Sequence, residues 1–202
     1  MRVEIMSQTV VEKIAQAHMT EGPDRPLRAG DVVSLKPRHI LTHDNTAAVM
    51  GKFESIGGEG VADPKQPVFA MDHDIQNRSE TNLAKYAAIK EFASKHGIAF
   101  YPPGTGIGHQ VMVSMGYVLP GSLVVASDSH ANMYGALGAL GTPVVRTDAA
   151  AVWATGEFWW QIPRTVQVIL EGSLPPGVSG KDVIVALCGL YNRGEVLNAA
   201  VE

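Results

Sequence analysis

Apolar residues recur along this chain at two alternating spacings. From Ser7 to Met19, the residues Val10, Val11, Ile14 and Ala15 fall on one face at helical spacing, with Ser7 or Thr9 placed to cap the helix. Residues 31–36 (DVVSLK) read as a strand, and residues 42–56 as a helix entered through the polar run THDNT and closed by Gly57 and Gly58. A polar turn over 58–66 leads to the strand PVFAM. Ser79 then caps a long amphipathic helix with the apolar face Leu83, Tyr86, Ala87, Ile89, Phe92 and Ala93, which Gly97 ends. Residues 98–101 form a short strand, and the turn PPGTGIG leads into a short helix over 110–115 and the strand SLVVAS over 122–127. Beyond it the pattern predicts helices near 132–140 and 147–160, a strand TVQVIL, and helices from Lys181 and from Glu195.

Strands alternating with helices in this way predict an α/β fold, a mainly parallel sheet with helices on both faces. The chain's 202 residues suit one domain with a real core, without internal repeats or low-complexity segments. The final run GEVLNAAVE begins as an amphipathic helix and stops without a cap, a pattern expected where a longer polypeptide has been cut.

Composition narrows the classes of function. Hydrophobic residues make up 46% and charged residues 18%, too apolar a balance for disorder. Lys and Arg number 16 against 20 for Asp and Glu, a formal charge of −4, so no basic excess offers nucleic acid a footprint. Arg2 and Glu4 have no apolar stretch behind them, and no apolar run reaches membrane-spanning length, so neither a signal peptide nor a membrane segment is expected. The single cysteine excludes a disulfide framework or a cluster held by this chain alone, and it fits a reducing cytoplasm. Cys188, in the run VIVALCGL, reads as a buried core residue.

The candidate chemistry is positional. Asp72 and His73 follow the strand PVFAM, His109 follows residues 98–101 through the glycine turn, and Asp128, Ser129 and His130 follow SLVVAS. In open α/β sheets ligands bind outside the carboxyl ends of the strands, so these residues converge if the strands are neighbours. An Asp beside a His sets the imidazole tautomer and raises its basicity, which suits general acid or base work near neutral pH. The candidate pairs are Asp72 with His73, and Asp128 with His109 or His130. His43 lies in THDN at a helix start, where free amides attract carboxylates. His18 and His96 stand in last helical turns, where a cationic capping role is the ordinary one, and His39 has no partner nearby in sequence. Asp74 and Asn77 crowd the His73 loop. Gly104, Gly106 and Gly108 lack the remaining spacing of a nucleotide loop and read as a turn. Trp159 and Trp160 suit core packing or contact with a further domain.

Taken together, THDNTAAVM, DHDIQN, GTGIGHQ, ASDSHANMYGALGALGTP and KDVIVAL resemble the aconitase superfamily, in order, over essentially the whole chain. GTPVVRTDAA, WATGEFWWQIP and ALCGLYN are more similar to its homoaconitase branch than to aconitase proper or the 3-isopropylmalate dehydratase large subunit. The resemblance implies a three-layer α/β catalytic region of which residues 1–202 form the N-terminal portion, with no second complete domain. It implies a hydro-lyase that moves water within a 2-hydroxy polycarboxylate through an enoate, homocitrate to homoisocitrate in lysine biosynthesis for this branch. The cofactor it implies is a four-iron four-sulfur cluster, with cysteine ligands beyond Glu202 and a swivelling domain supplied by further domains or a small subunit.

By the same resemblance Asp72 and His73 protonate the departing hydroxyl, His109 pairs with Asp128, and His130 contacts the hydroxyl region. Ser129 and His43 bind substrate carboxylates, and Asn132 stands near the position of a family asparagine, with Met133 beside it where the pattern departs. A mitochondrial matrix location would apply to a eukaryotic source. Two readings from other classes stand beside this one. Asp72, His73, Asp74, Asp128 and His130 could hold zinc or manganese in a hydrolase, or the chain could bind organic acids without catalysis.

Overall fold

The computed structural model describes residues 7–202. Helix α1 (Val10–His18) is followed by strands β1 (Met19–Glu21), β2 (Val32–Leu35) and β3 (His39–Thr42), then α2 (Thr46–Ser55) and β4 (Pro67–Ala70). Next come α3 (Glu80–His96), β5 (Ala99–Tyr101), α4 (Gly108–Ser114) and β6 (Leu123–Ala126). A 3-10 turn over Ala131–Leu137 precedes β7 (Leu140–Pro143), α5 (Arg146–Thr155), β8 (Phe158–Gln161), β9 (Arg164–Val166), α6 (Gly180–Leu190) and β10 (Ala199–Val201).

Local chemistry explains the helix ends. The Thr9 hydroxyl accepts from the Glu12 N–H while the Glu12 carboxylate accepts from the Thr9 N–H, a reciprocal cap that starts α1. Ser79 caps α3 by accepting from the Asn82 N–H, and Gly97 closes it in the left-handed conformation.

Strands β5, β4, β3, β6 and β7 form one parallel sheet in that order. All four residues of β4 and of β6 are buried, as expected for parallel strands covered on both faces. Alternation divides the packing. Ile40, Phe69, Leu123 and Val125 join a core with Phe53, Ile89 and Trp153, contributed by α2, α3 and α5. Leu41, Val68, Ala70, Val124 and Ala126 face the other way, onto Met112 of α4 and Tyr134 of the 3-10 turn. The result is the three-layer α/β arrangement expected from the sequence. Beside it, β1, β2 and β8 make an antiparallel sheet and β9 pairs with β10 in parallel.

The chain leaves β3 for β4 and β5 on one side, then returns past β3 to β6 and β7 on the other. The order therefore reverses at β3, and the loops after β4, β3 and β6 stand side by side at the carboxyl edge. This is the switch point at which open α/β sheets bind ligands.

Several elements differ from the sequence expectation. The helix expected over 147–160 ends at Thr155, because Gly156 takes the left-handed conformation there, and 158–161 form β8 against β2. The helix expected from Glu195 is a turn followed by β10, whose ladder to β9 outweighs the helical pattern of so short a segment. Strands β1, β3 and β7 are additional, and β3 shares only Thr42 with the expected helix entry. Cys188 is exposed, since α6 buries none of its residues among those described. Trp159 is exposed, and Trp160 packs partly against the core.

Candidate active site

The site is assembled by three neighbouring strand ends. From the central strand, residues 43–45 run from the end of β3 into α2. From β4 comes the turn 72–74, and from β6 the run 127–130. His109, second residue of α4, closes the site from the far face.

After β4, His73 Nδ1 donates to Asp72 Oδ1 at 2.5 Å, and the other carboxylate oxygen accepts from the Gly108 N–H at 2.6 Å. The carboxylate is buried, while half of the His73 side chain stays exposed. With its Nδ1 proton engaged, the ring presents Nε2 to the cleft, 3.6 Å from Asp128 Oδ2.

Asp128 is the electrostatic centre. Its Oδ1 accepts from His109 Nε2 at 2.8 Å, from the His130 backbone N–H at 2.8 Å and from His130 Nδ1 at 3.2 Å. Burial disfavours its charge, but the His130 N–H and the His109 imidazole outweigh that and hold the carboxyl at about 2. It is therefore ionised at any physiological pH. On the far side of the His109 ring, the Tyr134 hydroxyl lies 2.8 Å from Nδ1. Burial, with Asp128 and Asp72 adding to it, pushes the Tyr134 phenol up. The His109 ring is thus held from both sides, its Nε2–H donating to the ionised Asp128 carboxylate and its Nδ1 facing the protonated Tyr134 phenol.

His43 stacks on His73, with ring centroids 3.9 Å apart, and its Nε2 stands 3.9 Å from Asp128 Oδ2. Burial lowers its pKa, and the adjacent His73 ring lowers it further, while Asp128 opposes. A neutral His43 follows at neutral pH. Its Nδ1 is buried with no hydrogen-bond partner among the described residues. The His130 side chain is largely exposed over the cleft, its Nδ1 3.5 Å from the Ser129 hydroxyl. Asn132 is exposed on the 3-10 turn and makes no side-chain hydrogen bond among the described residues.

Asp72, His73, His109, Asp128, His130 and His43 are thus brought together, Ser129 lies at the rim, and Asn132 stands apart. His39 donates from Nδ1 to the Lys65 carbonyl at 3.1 Å, away from this site. His18 is a brace and not a cap: Nδ1 donates to the Ile14 carbonyl and Nε2 accepts from the Leu123 N–H. Asp74 pairs with Asn77 and Lys85 at the surface.

Four contributors were not singled out by the sequence reading: Asp44, Asn45, Tyr86 and Tyr134. The Asp44 carboxylate accepts from the N–H groups of Asp72, His73 and Asp74 at 3.0, 2.8 and 3.3 Å and from the Tyr86 hydroxyl. Burial works against its charge, but the Tyr86 hydroxyl and these amides prevail and lower its pKa. The signal available was the polar DN pair between His43 and the start of α2. The partners of Tyr134 and Tyr86, 25 and 42 residues away, leave no local trace.

Donor atoms of His43, Asp44, Asp72 and His73 lie within metal-binding reach of one another, as do those of His109, Asp128 and His130. In the first group both carboxylates already have their oxygens engaged by N–H and O–H donors. Such saturation suits proton transfer and carboxylate positioning better than a cation cage.

Residues 12–202 match the profile described as the aconitase family (aconitate hydratase). The chain is 60% identical over 198 residues to the mitochondrial homoaconitase of Cryptococcus neoformans var. neoformans, covering 96% of this chain and 27% of that protein. It is 59% identical to the mitochondrial homoaconitase of Mycosarcoma maydis and 57% identical to that of Neurospora crassa, again over 96% of this chain and over 26% and 25% of theirs. The chain thus spans about a quarter of the length of the curated relatives it matches.

Proposed function

Since the chain belongs to the aconitase family, we propose that it is the N-terminal portion of a hydro-lyase that converts homocitrate to homoisocitrate by way of the enoate cis-homoaconitate, in lysine biosynthesis. The observation that carries this reading is the Asp72–His73 pair at 2.5 Å, aimed into a cleft at the switch point of the parallel sheet. The names of relatives 57–60% identical support the substrate.

In this account the substrate lies along the carboxyl edge of β4, β3 and β6. Asp72 holds His73 at Nδ1, so His73 protonated at Nε2 delivers that proton to the departing hydroxyl while a base on the further domains takes the proton from the adjacent carbon, and both steps reverse when water is re-added. A placed general acid of this kind contributes on the order of 10²–10⁴ in rate. Asp128 stays ionised and fixes the orientation of His109 by accepting the proton on its Nε2. His130, the most exposed ring, meets the hydroxyl region, while Ser129 and neutral His43 contact a substrate carboxylate, and Asn132 stands apart from them.

The family implies an iron–sulfur cluster in the complete enzyme, and the residues in this chain do not fit it. Cys188 is its only thiol, exposed on α6, and a cubane needs several thiolates. The cluster ligands, the remaining carboxylate clamps and a swivelling domain belong in this account to further domains or a small subunit. No described helix is long and apolar enough to cross a membrane. The relatives' names support the mitochondrial matrix as the location if the source is eukaryotic.

The test is an assay of the full-length polypeptide with homocitrate, citrate and 3-isopropylmalate, following the enoate by its ultraviolet absorbance. Preference for homocitrate, lost in His73→Asn, is the expected result. Faster turnover of either other acid would overturn the substrate, and full activity in His73→Asn would overturn the acid.

A further inference from the structure

Two adjacent side chains at the end of the central strand reach in opposite directions. Toward β4, the Asp44 carboxylate gathers the N–H groups of Asp72, His73 and Asp74 together with the Tyr86 hydroxyl, so the whole turn that carries the Asp72–His73 pair is wrapped on one ionised group. Toward β6, Asn45 Nδ2 donates to the Ser127 carbonyl at 2.7 Å and to the Ser127 hydroxyl at 3.1 Å, immediately before Asp128. Strands β4 and β6 are not neighbours, because β3 lies between them. No ladder hydrogen bond relates their exits, which two strand spacings hold roughly 9–10 Å apart. Yet His73 Nε2 and Asp128 Oδ2 come within 3.6 Å of each other.

We infer that Asp44 and Asn45 are positioning residues that set the His73–Asp128 separation from the central strand, Asp44 by anchoring the turn after β4 and Asn45 by anchoring the end of β6. The inference rests on the proposed hydro-lyase role of those two groups. The pair works as a gauge: both braces start from consecutive residues of the single turn between β3 and α2, so the turns they hold share one origin. Asp44 spends both carboxylate oxygens on this task, two donors on each, which removes it from direct contact with a substrate. Tyr86 braces it in turn, its phenol pushed up to about 12 by burial and by the Asp44 carboxylate, so the hydroxyl remains a donor at neutral pH.

The experiment labels the histidine rings of the 202-residue chain with nitrogen-15 and follows two hydrogen-bonded ring protons by NMR, that of His73 Nδ1 to Asp72 and that of His109 Nε2 to Asp128. Asp44→Asn is expected to speed solvent exchange of the His73 proton about tenfold, the size of one lost net hydrogen bond, and to change the His109 proton less than about twofold. Asn45→Ala should do the reverse. Amide protection of β3, β4 and β6 reports in the same samples that the sheet is intact. Equal changes at both rings, or none at either in folded variants, would overturn the inference, because a merely structural role predicts no such selectivity. If Asp44→Asn does not fold, Tyr86→Phe removes one donor from the same carboxylate and should speed the His73 proton about two- to threefold, leaving His109 unmoved; an unchanged His73 would then be decisive against it. In the full-length enzyme Asp44→Asn should lower kcat far more than it alters KM. Selective ring behaviour in a protein that does not dehydrate homocitrate would leave the braces standing and remove the proposed reaction alone.

Discussion

Replacing Asp128 by asparagine isolates the charge at the centre of the cleft. All three protein groups that hydrogen-bond this side chain, the His109 imidazole, the His130 N–H and the His130 ring Nδ1, use the same oxygen, Oδ1. An asparagine carbonyl in its place keeps those contacts, so the substitution removes the ionisation and little else. The folded carboxyl titrates at about 2 against an ordinary 3.8, and at about 1.4 kcal/mol per unit this linkage amounts to about 2 kcal/mol of stability at neutral pH. Only 10% of the side chain is exposed, so solvent screens it little. The sign follows from the depressed value: the contribution is complete above the unfolded pKa and is lost as pH falls through the folded one. About half should remain near pH 3. Urea unfolding of the wild type and Asp128→Asn, followed by circular dichroism at steps from about pH 5 to about pH 3, stays below the ordinary imidazole range. The wild type should be more stable by about 2 kcal/mol at the upper end, with the gap closing toward the lower. A gap that stays constant across the window would refute the electrostatic account of Asp128.

Three further outcomes follow from the packing and the composition. Trp153 is fully buried against Phe69, Phe92 and Phe53 and leaves its Nε1 without a partner among the described residues, so Trp153→Ala should cost about 3–5 kcal/mol and Trp153→Phe less than half of that, read from urea midpoints; equal costs would contradict it. A Cβ at Gly141 would stand 2.1 Å from the Ala131 carbonyl oxygen, a backbone atom that cannot swing aside, so Gly141→Ala should lose about 3 kcal/mol or more and lower the melting temperature sharply. Iron and sulfide reconstitution of the 202-residue chain should yield no stoichiometric four-iron cluster by metal analysis and visible absorbance; one cluster per chain would overturn the assignment of its ligands to other domains.

How far the residues could be read on their own differs from element to element. The caps at Thr9, Ser79 and Gly97 are local events, each contained within a few residues, and they stand where the polar pattern put them. The strands PVFA and LVVA carry enough apolar residues to be recognised without partners. β3 has only HILT between Arg38 and the polar run from His43, and its extended form comes from ladders to β4 and β6 on either side. The same failure appears in reverse at 195–202, where a helical spacing yields to pairing with β9. Cys188 looked buried because α6 is apolar, and apolar spacing says nothing about whether a second surface covers it.

At the site, residue types alone marked Asp72, His73, His109, Asp128 and His130, because carboxylates and imidazoles at strand ends are chemistry that an α/β sheet places at its ligand-binding edge. The alternation of elements and the ordered aconitase-like motifs likewise belong to the linear chain. What tertiary structure decided was the strand order β5, β4, β3, β6, β7, and with it the partners: His43 stacked on His73, Tyr134 behind His109, Asp44 under one turn and Asn45 under the other. Those contacts join residues 25 to 82 positions apart. Periodicity encodes which face a side chain takes within its own element, whereas these pairings depend on which elements lie beside one another, and that is settled only when the sheet closes around its core.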